Sequence, residues 1–234
     1  MLQVYPVLCR ADVMNNYAYV ITDGTTTAVI DPSEADPVIA FCDKQNLRPQ
    51  FILNTHHHFD HVGGNLELSQ KYQAKIACNQ ADMIRITGAT LALKTEETAF
   101  LGSLKADIID VSAHTKGHIL YYFKDDKILF TGDTLFNLCI GGLFEGSAEM
   151  MFNALKKIKA LPDDVLFYPG HEYTLGGASF AYQYNNGNTD IKTYLKRAKA
   201  RLEKGLPVAP VSLGEEKHCN PYLEAKTLKE FINL

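Results

Sequence analysis

The chain has 234 residues, of which 46% are hydrophobic and 21% charged, and its formal net charge is −4. This composition excludes a disordered, collagen-like or coiled-coil chain and fits one large domain, or one domain with a small appendage. No apolar run approaches the roughly 18 residues that a membrane-spanning helix needs, and the negative charge argues against a nucleic-acid partner.

Residues 1–13 lack a basic start, a long apolar stretch and a small-residue cleavage site, so no signal peptide is expected. Residues 4–8, 17–21 and 27–30 are β-rich runs split by turn residues such as Asp23-Gly24, and they predict an antiparallel start. Asp31-Pro32 stops the third run and opens a helix over 34–45, with Ser33 as its N-cap. Residues 51–53 read as a short strand, 54–61 as a loop and 65–72 as a helix entered through Gly63-Gly64. A strand over 75–78 and a short helix over 80–84 follow. Residues 98–100, 106–111, 119–123 and 127–130 read as strands, with an Asp125-Asp126 turn between the last two. Met151, Leu155 and Ile158 recur at helical spacing within 148–160, and 165–168 is a last strand. Beyond Glu172, Gly176-Gly177 and 185–188 read as loops, and 191–204 and 224–232 as helices. Strands and helices do not alternate strictly, and no GxGxxG or GxxxxGK[ST] motif is present, which argues against a doubly wound nucleotide fold.

The five cysteines are odd in number and scattered, with no CxxC pair, and are expected to be reduced thiols in a cytoplasm. The histidines are more informative. Thr55-His56-His57-His58-Phe59-Asp60-His61 directly follows a predicted strand. Residues i and i+2 of an extended segment face one side, so His56 and His58 can grip one ion. Asp60 and His61, where the chain turns toward a helix, can reach a second. Chance produces HxHxDH in roughly one chain of this composition in two thousand. Three further candidates each lie just past a predicted strand: His114, Asp133 in Thr131-Gly132-Asp133-Thr134, and His171. Imidazole and carboxylate donors suit zinc, iron or manganese. His57 and His118 are left for packing or for hydrogen bonds to the ligands. No GxSxG elbow or Cys/His pair supplies a protein nucleophile.

HxHxDH, a later His, an Asp in TGDT and a final His, in this order, resemble the metallo-β-lactamase fold superfamily. Within it, residues 55–61 and 131–136, Phe144-Glu145-Gly146 and His171-Glu172-Tyr173-Thr174 resemble glyoxalase II, the hydroxyacylglutathione hydrolase family, over residues 5–222. The resemblance implies an α/β fold: a four-layer αβ/βα sandwich over residues 1–172, then a small helical substrate-binding domain over 173–234. It implies two divalent metal ions, zinc first and iron or manganese as alternatives. His56, His58 and His114 would hold the first, Asp60, His61 and His171 the second, and Asp133 would bridge them. Asp60 and Asp133 are the expected catalytic carboxylates. The implied reaction is attack of hydroxide on a thioester carbonyl, releasing a thiolate whose thiol has a pKa of about 8.5. The implied partner is a small-molecule thioester such as a glutathione conjugate, with no nucleic acid or membrane, on a monomer or weak dimer.

Tyr173 matches the family's substrate-binding tyrosine, and Phe144 stands where some relatives have Tyr. Gly142 stands where relatives commonly carry Lys or Arg; Lys116, Lys226 and Lys229 are the candidate replacement cations, each set against the reading of a solvated surface lysine. The family's usual closing Arg-x-x-Lys-Asp segment has no counterpart near residue 234. A second enzyme reading, a persulfide dioxygenase, shares HxHxDH but uses one iron on the counterparts of His56, His114 and Asp133.

Overall fold

The β-rich opening folds as its turns dictate. In the computed structural model, which describes residues 1–10, 13–185 and 187–234, strand β1 (Gln3–Cys9) pairs antiparallel with β2 (Asn16–Thr22), and β2 with β3 (Thr27–Ile30). Ala11 and Asp12 of the N-terminal stretch, and Asn186 of the expected 185–188 loop, lie outside the described residues. The Asp23 carboxylate closes the β2–β3 turn by accepting from the backbone N–H groups of Thr25 and Thr26, both at 2.8 Å. The chain separates into two compact units, Met1–Asp110 with Gly117–Asp126, and Val111–Lys116 with Lys127–Leu234.

In the first unit, Asp31 leaves β3 at φ +47° and helix α1 (Ala35–Gln45) follows. Its N-cap position is Glu34 rather than Ser33, because the Ser33 hydroxyl is taken by the Arg10 guanidinium at 2.7 Å. Strand β4 (Phe51–Leu53) lies parallel to β3. Part of the expected loop after it is a helical turn, α2 (Phe59–Val62), closed where His61 N–H donates to His58 C=O at 2.9 Å. Helix α3 (Asn65–Tyr72) and strand β5 (Lys75–Asn79) match expectation. The helix expected over 80–84 contracts to a 3-10 turn over Gln80–Asp82. Strand β6 (Ala89–Leu93), parallel to β5, completes a sheet ordered β1 to β6. Only one of its five residues is buried. Strands β7 (Thr98–Leu101), β8 (Leu104–Asp110) and β9 (Ile119–Phe123) form an antiparallel meander. Val20, Val29, Ile52, Ile76, Leu68 and Val38 pack in one dry core beneath the first sheet. Each such side chain contributes about 1.5–3 kcal/mol by leaving water.

In the second unit, β10 (Ile128–Gly132) is followed by a two-residue ladder between β11 (Leu135–Phe136) and β12 (Cys139–Ile140). Helix α4 (Ala148–Lys159) is capped by the Ser147 hydroxyl, which accepts from Met150 N–H at 3.2 Å. It buries Met151, Leu155 and Ile158, the stripe its sequence spacing predicts. Strand β13 (Leu166–Pro169) runs parallel to β10. Gly176-Gly177, expected to be a loop, lies inside helix α5 (Thr174–Tyr184). Tertiary packing overrides helix propensity there: a Cβ on Gly177 would lie 2.5 Å from the Asn137 carbonyl oxygen. Helix α6 (Thr189–Leu202) precedes β14 (Val211–Ser212), which pairs antiparallel with β13. Helix α7 (Leu213–Cys219) has no counterpart among the expected elements. The helix expected over 224–232 is two pieces, α8 (Pro221–Glu224) and α9 (Leu228–Ile232), because Thr227 starts a new helix by accepting from Glu230 N–H.

A buried polar network ties these helices down. The Glu216 carboxylate accepts from Leu138 N–H at 2.6 Å, Asn220 Nδ2 at 2.8 Å and the Tyr194 hydroxyl at 3.2 Å. Burial pushes its carboxyl up to about 7 despite these donors. Among the described residues, no helix is long and apolar enough to cross a membrane.

Candidate metal centre

The first unit holds the HxHxDH segment. It is fixed at its root by Asn54, which accepts from Tyr121 OH through its carbonyl and donates from Nδ2 to His61 C=O at 3.1 Å. Beyond it, the His56 ring lies 4.7 Å from that of His58 and 4.2 Å from that of His61, centroid to centroid. His56, Asp60 and His61 are buried; His58 is partly exposed. The α2 turn swings Asp60 and His61 inward. Asn16 Nδ2 then donates to both the carbonyl and a carboxylate oxygen of Asp60, at 2.9 and 3.0 Å.

Asp31 organises the cluster, although its sequence context read only as a strand stop. Its carboxylate accepts from Thr55 N–H at 2.8 Å and Thr55 OH at 2.6 Å, and it lies 3.1 Å from His61 Nδ1. A carboxylate only accepts, so Nδ1 of His61 carries the proton and Nε2 presents a lone pair. Asp31, His56 and His61 offer donor atoms within 4.8 Å of one another. His118, left over in the motif, is fully buried and stacks on His56 at 4.7 Å and 16°. His57 turns to Asp82 and Arg85 instead.

The second unit holds three candidate donors on three segments. His114 Nδ1 donates to the Gly142 carbonyl at 2.7 Å, which turns its Nε2 toward Asp133 Oδ2 at 3.5 Å. Asp133 follows β10, whose last residue, Gly132, accepts from Gly170 N–H at 2.8 Å. That bond places the end of β13 beside the end of β10, and His171 follows with Nε2 3.3 Å from the same Asp133 oxygen. Tyr173 stacks on the His171 ring at 4.7 Å and 10°, and Phe136 meets both rings edge-on. Phe144 meets the His114 ring edge-on at 5.1 Å while 71% exposed. Lys116 is exposed, and its backbone N–H donates to the Glu145 carboxylate at 2.7 Å. Gly142 therefore acts on His114 through its carbonyl oxygen.

The donor chemistry fits a borderline divalent cation. Buried imidazoles and carboxylates are costly to assemble without a positive charge among them. Among the described residues the candidate groups are built from His and Asp, and burial raises the Cys139 thiol, on β12, to about 12.

Residues 11–171 match the metallo-beta-lactamase superfamily, and residues 172–233 match the hydroxyacylglutathione hydrolase C-terminus. The hydroxyacylglutathione hydrolase of Pelagibacter ubique is 40% identical over 235 residues, covering 100% of this chain and 97% of that one. Among solved structures, ETHE1 from Myxococcus xanthus is similar with a TM-score of 0.74 at 22% identity, covering 99% of this chain and 88% of that one; this is a likeness of fold. TTHA1623 in a di-iron-bound form has a TM-score of 0.63 at 26% identity, over 72% of this chain and 92% of that one.

Proposed function

Since the chain belongs to the metallo-β-lactamase superfamily and, within it, to the hydroxyacylglutathione hydrolases, we propose that its seven His and Asp donors hold two divalent ions. The enzyme is a metal-dependent thioester hydrolase of the glyoxalase II type, with a small glutathione thioester as substrate. His56, His58 and His114 serve one ion, Asp60, His61 and His171 the other, and Asp133 both. The observation that carries this reading is the shared carboxylate oxygen: Asp133 Oδ2 faces His114 Nε2 at 3.5 Å and His171 Nε2 at 3.3 Å. Zinc fits these donors first, with iron or manganese as alternatives; the di-iron form of TTHA1623 supports a paired site.

When bound, the ions lower the pKa of water toward neutrality and polarise the thioester carbonyl. The chain's own residues supply orientation. Asp31 and the Gly142 carbonyl hold the Nδ1 protons of His61 and His114, so that both rings present Nε2. Asn16 keeps Asp60 turned inward. Tyr173 and the exposed Phe144 ring stand beside His171 and His114 and flank the acyl-thiol. Residues 1–172 form the catalytic part and 173–234 the helical part that completes the substrate site. The five free thiols, four of them buried, support the cytoplasm as its compartment.

The test is hydrolysis of S-D-lactoylglutathione by purified protein of measured metal content, followed by thiol release. Turnover with about two metals per chain is expected. Oxygen consumption with glutathione persulfide, in place of thiol release from the thioester, would overturn the reading.

A further inference from the structure

Three consecutive imidazoles, His56, His57 and His58, leave β4, and a metal can take any of them. The middle one is held elsewhere. Arg85 Nη2 lies 3.0 Å from His57 Nε2. A guanidinium only donates, so Nε2 is the acceptor and its lone pair is committed. Nδ1, which then carries the proton, faces Asp82 Oδ2 at 3.6 Å. The Asp82 side chain is fully buried, and its other oxygen is held by Arg85 Nη1 at 3.2 Å.

The backbone is shaped around this arrangement. A Cβ on Gly117 would lie 2.2 Å from Asp82 Oδ1, so only glycine lets the turn before β9 approach so closely. Asn79 ties the two pieces together: its Nδ2 donates to Gly117 C=O at 3.0 Å and its Oδ1 caps the 3-10 turn that carries Asp82. The residue after Gly117 is His118, which stacks on His56. A buried carboxylate is unfavourable in itself and is best attested where it selects one arrangement among several.

We propose that Asp82 and Arg85 form a clamp on His57 that keeps its imidazole from competing with His56 and His58 for metal. They are positioning residues, and the inference rests on the reading of His56 and His58 as ligands. The test uses the full chain, with zinc affinity measured by competition against a chromophoric chelator and imidazole tautomers read by long-range proton–nitrogen NMR. His57 is expected as the Nδ1–H tautomer, unmoved by zinc. Arg85→Met should weaken zinc binding about 10–100-fold, and adding His57→Gln to that variant should restore it. A purely structural Arg85 would not be rescued by removing His57, so failure of the rescue overturns the clamp, as does undiminished affinity in Arg85→Met. Should Arg85→Met not fold, the wild-type spectrum decides: a His57 signal that shifts on zinc loading overturns the proposal. A wild-type chain that binds none of zinc, iron(II) and manganese(II) overturns the metal-centre reading and the clamp with it, whereas the other failures leave that reading intact.

Discussion

The two units fix their donors by different means. In the first, four donors lie within six residues, His56 to His61, and distant side chains hold them: Asp31 for His61, Asn16 for Asp60, His118 against His56. In the second, His114, Asp133 and His171 come from three segments, and backbone groups place them: the Gly142 carbonyl, and the Gly132–Gly170 bond between two strand ends. A compact motif needs outside side chains because a tight loop cannot hydrogen-bond all of its own imidazoles. Donors delivered by strand ends inherit their positions from the sheet ladder. The first arrangement is open to point substitution around the ligands, whereas the second is exposed mainly at the ligands themselves.

The largest effect should come from the second arrangement's shared carboxylate. Asp133→Ala removes the acceptor facing both His114 and His171. Metal per chain should fall, and thiol release should drop by about 10³-fold, since Lewis-acid stabilisation is worth several kcal/mol. Retained turnover in that variant would sink the hydrolase mechanism.

The units should also separate by pH. The first rests on an apolar core, whereas the helices of the second close over Glu216, raised to about 7 from 4.5. Between these values the folded state keeps a proton that the unfolded chain has lost, so stability falls as pH rises from 4.5 to 7. The loss amounts to about 3 kcal/mol by linkage. Urea unfolding at pH 5 and pH 8 should show it, and Glu216→Gln should flatten the profile; an unchanged slope in that variant would assign the pH dependence elsewhere.

Asp31→Asn tests the side-chain support of the first unit. It replaces an acceptor of three contacts with an amide that can also donate, and metal affinity should fall about 10–100-fold while the fold survives. His114, by comparison, is turned by the Gly142 carbonyl. Phe144→Ala should accordingly leave metal content unchanged and lower kcat/KM about 2–10-fold, the worth of one aromatic contact. A loss of metal in Phe144→Ala would show that the ring, and not the Gly142 carbonyl, holds His114.

Much of the framework is legible from residue order. Runs 27–30, 51–53 and 119–123 and the helix at 65–72 are strands and helix at those positions, because their apolar patterns are dense and their turns explicit. The α4 stripe is of the same kind, a local signal read at fixed spacing, whereas its Ser147 cap came only with the structure. The missed elements had no local signal. Strand β6 buries one residue of five, α7 is seven residues long, and the first turn of α5 holds a glycine pair of which Gly177 lies against the Asn137 backbone. In the site, HxHxDH announced itself, whereas Asn16, Asp31, Arg85 and Asp82 lie 44, 30, 28 and 25 residues from the groups they hold.

Residue order by itself therefore determined the donor chemistry, imidazole and carboxylate without thiolate, and the family to which the chain belongs. Donor type is a property of the side chain, and a motif of six residues carries its own spacing. Tertiary structure alone decided which ring nitrogen each histidine presents, because a tautomer depends on the partner at the other nitrogen. That partner is Asp31 for His61, Gly142 for His114 and Arg85 for His57, each distant in sequence and brought near only by folding.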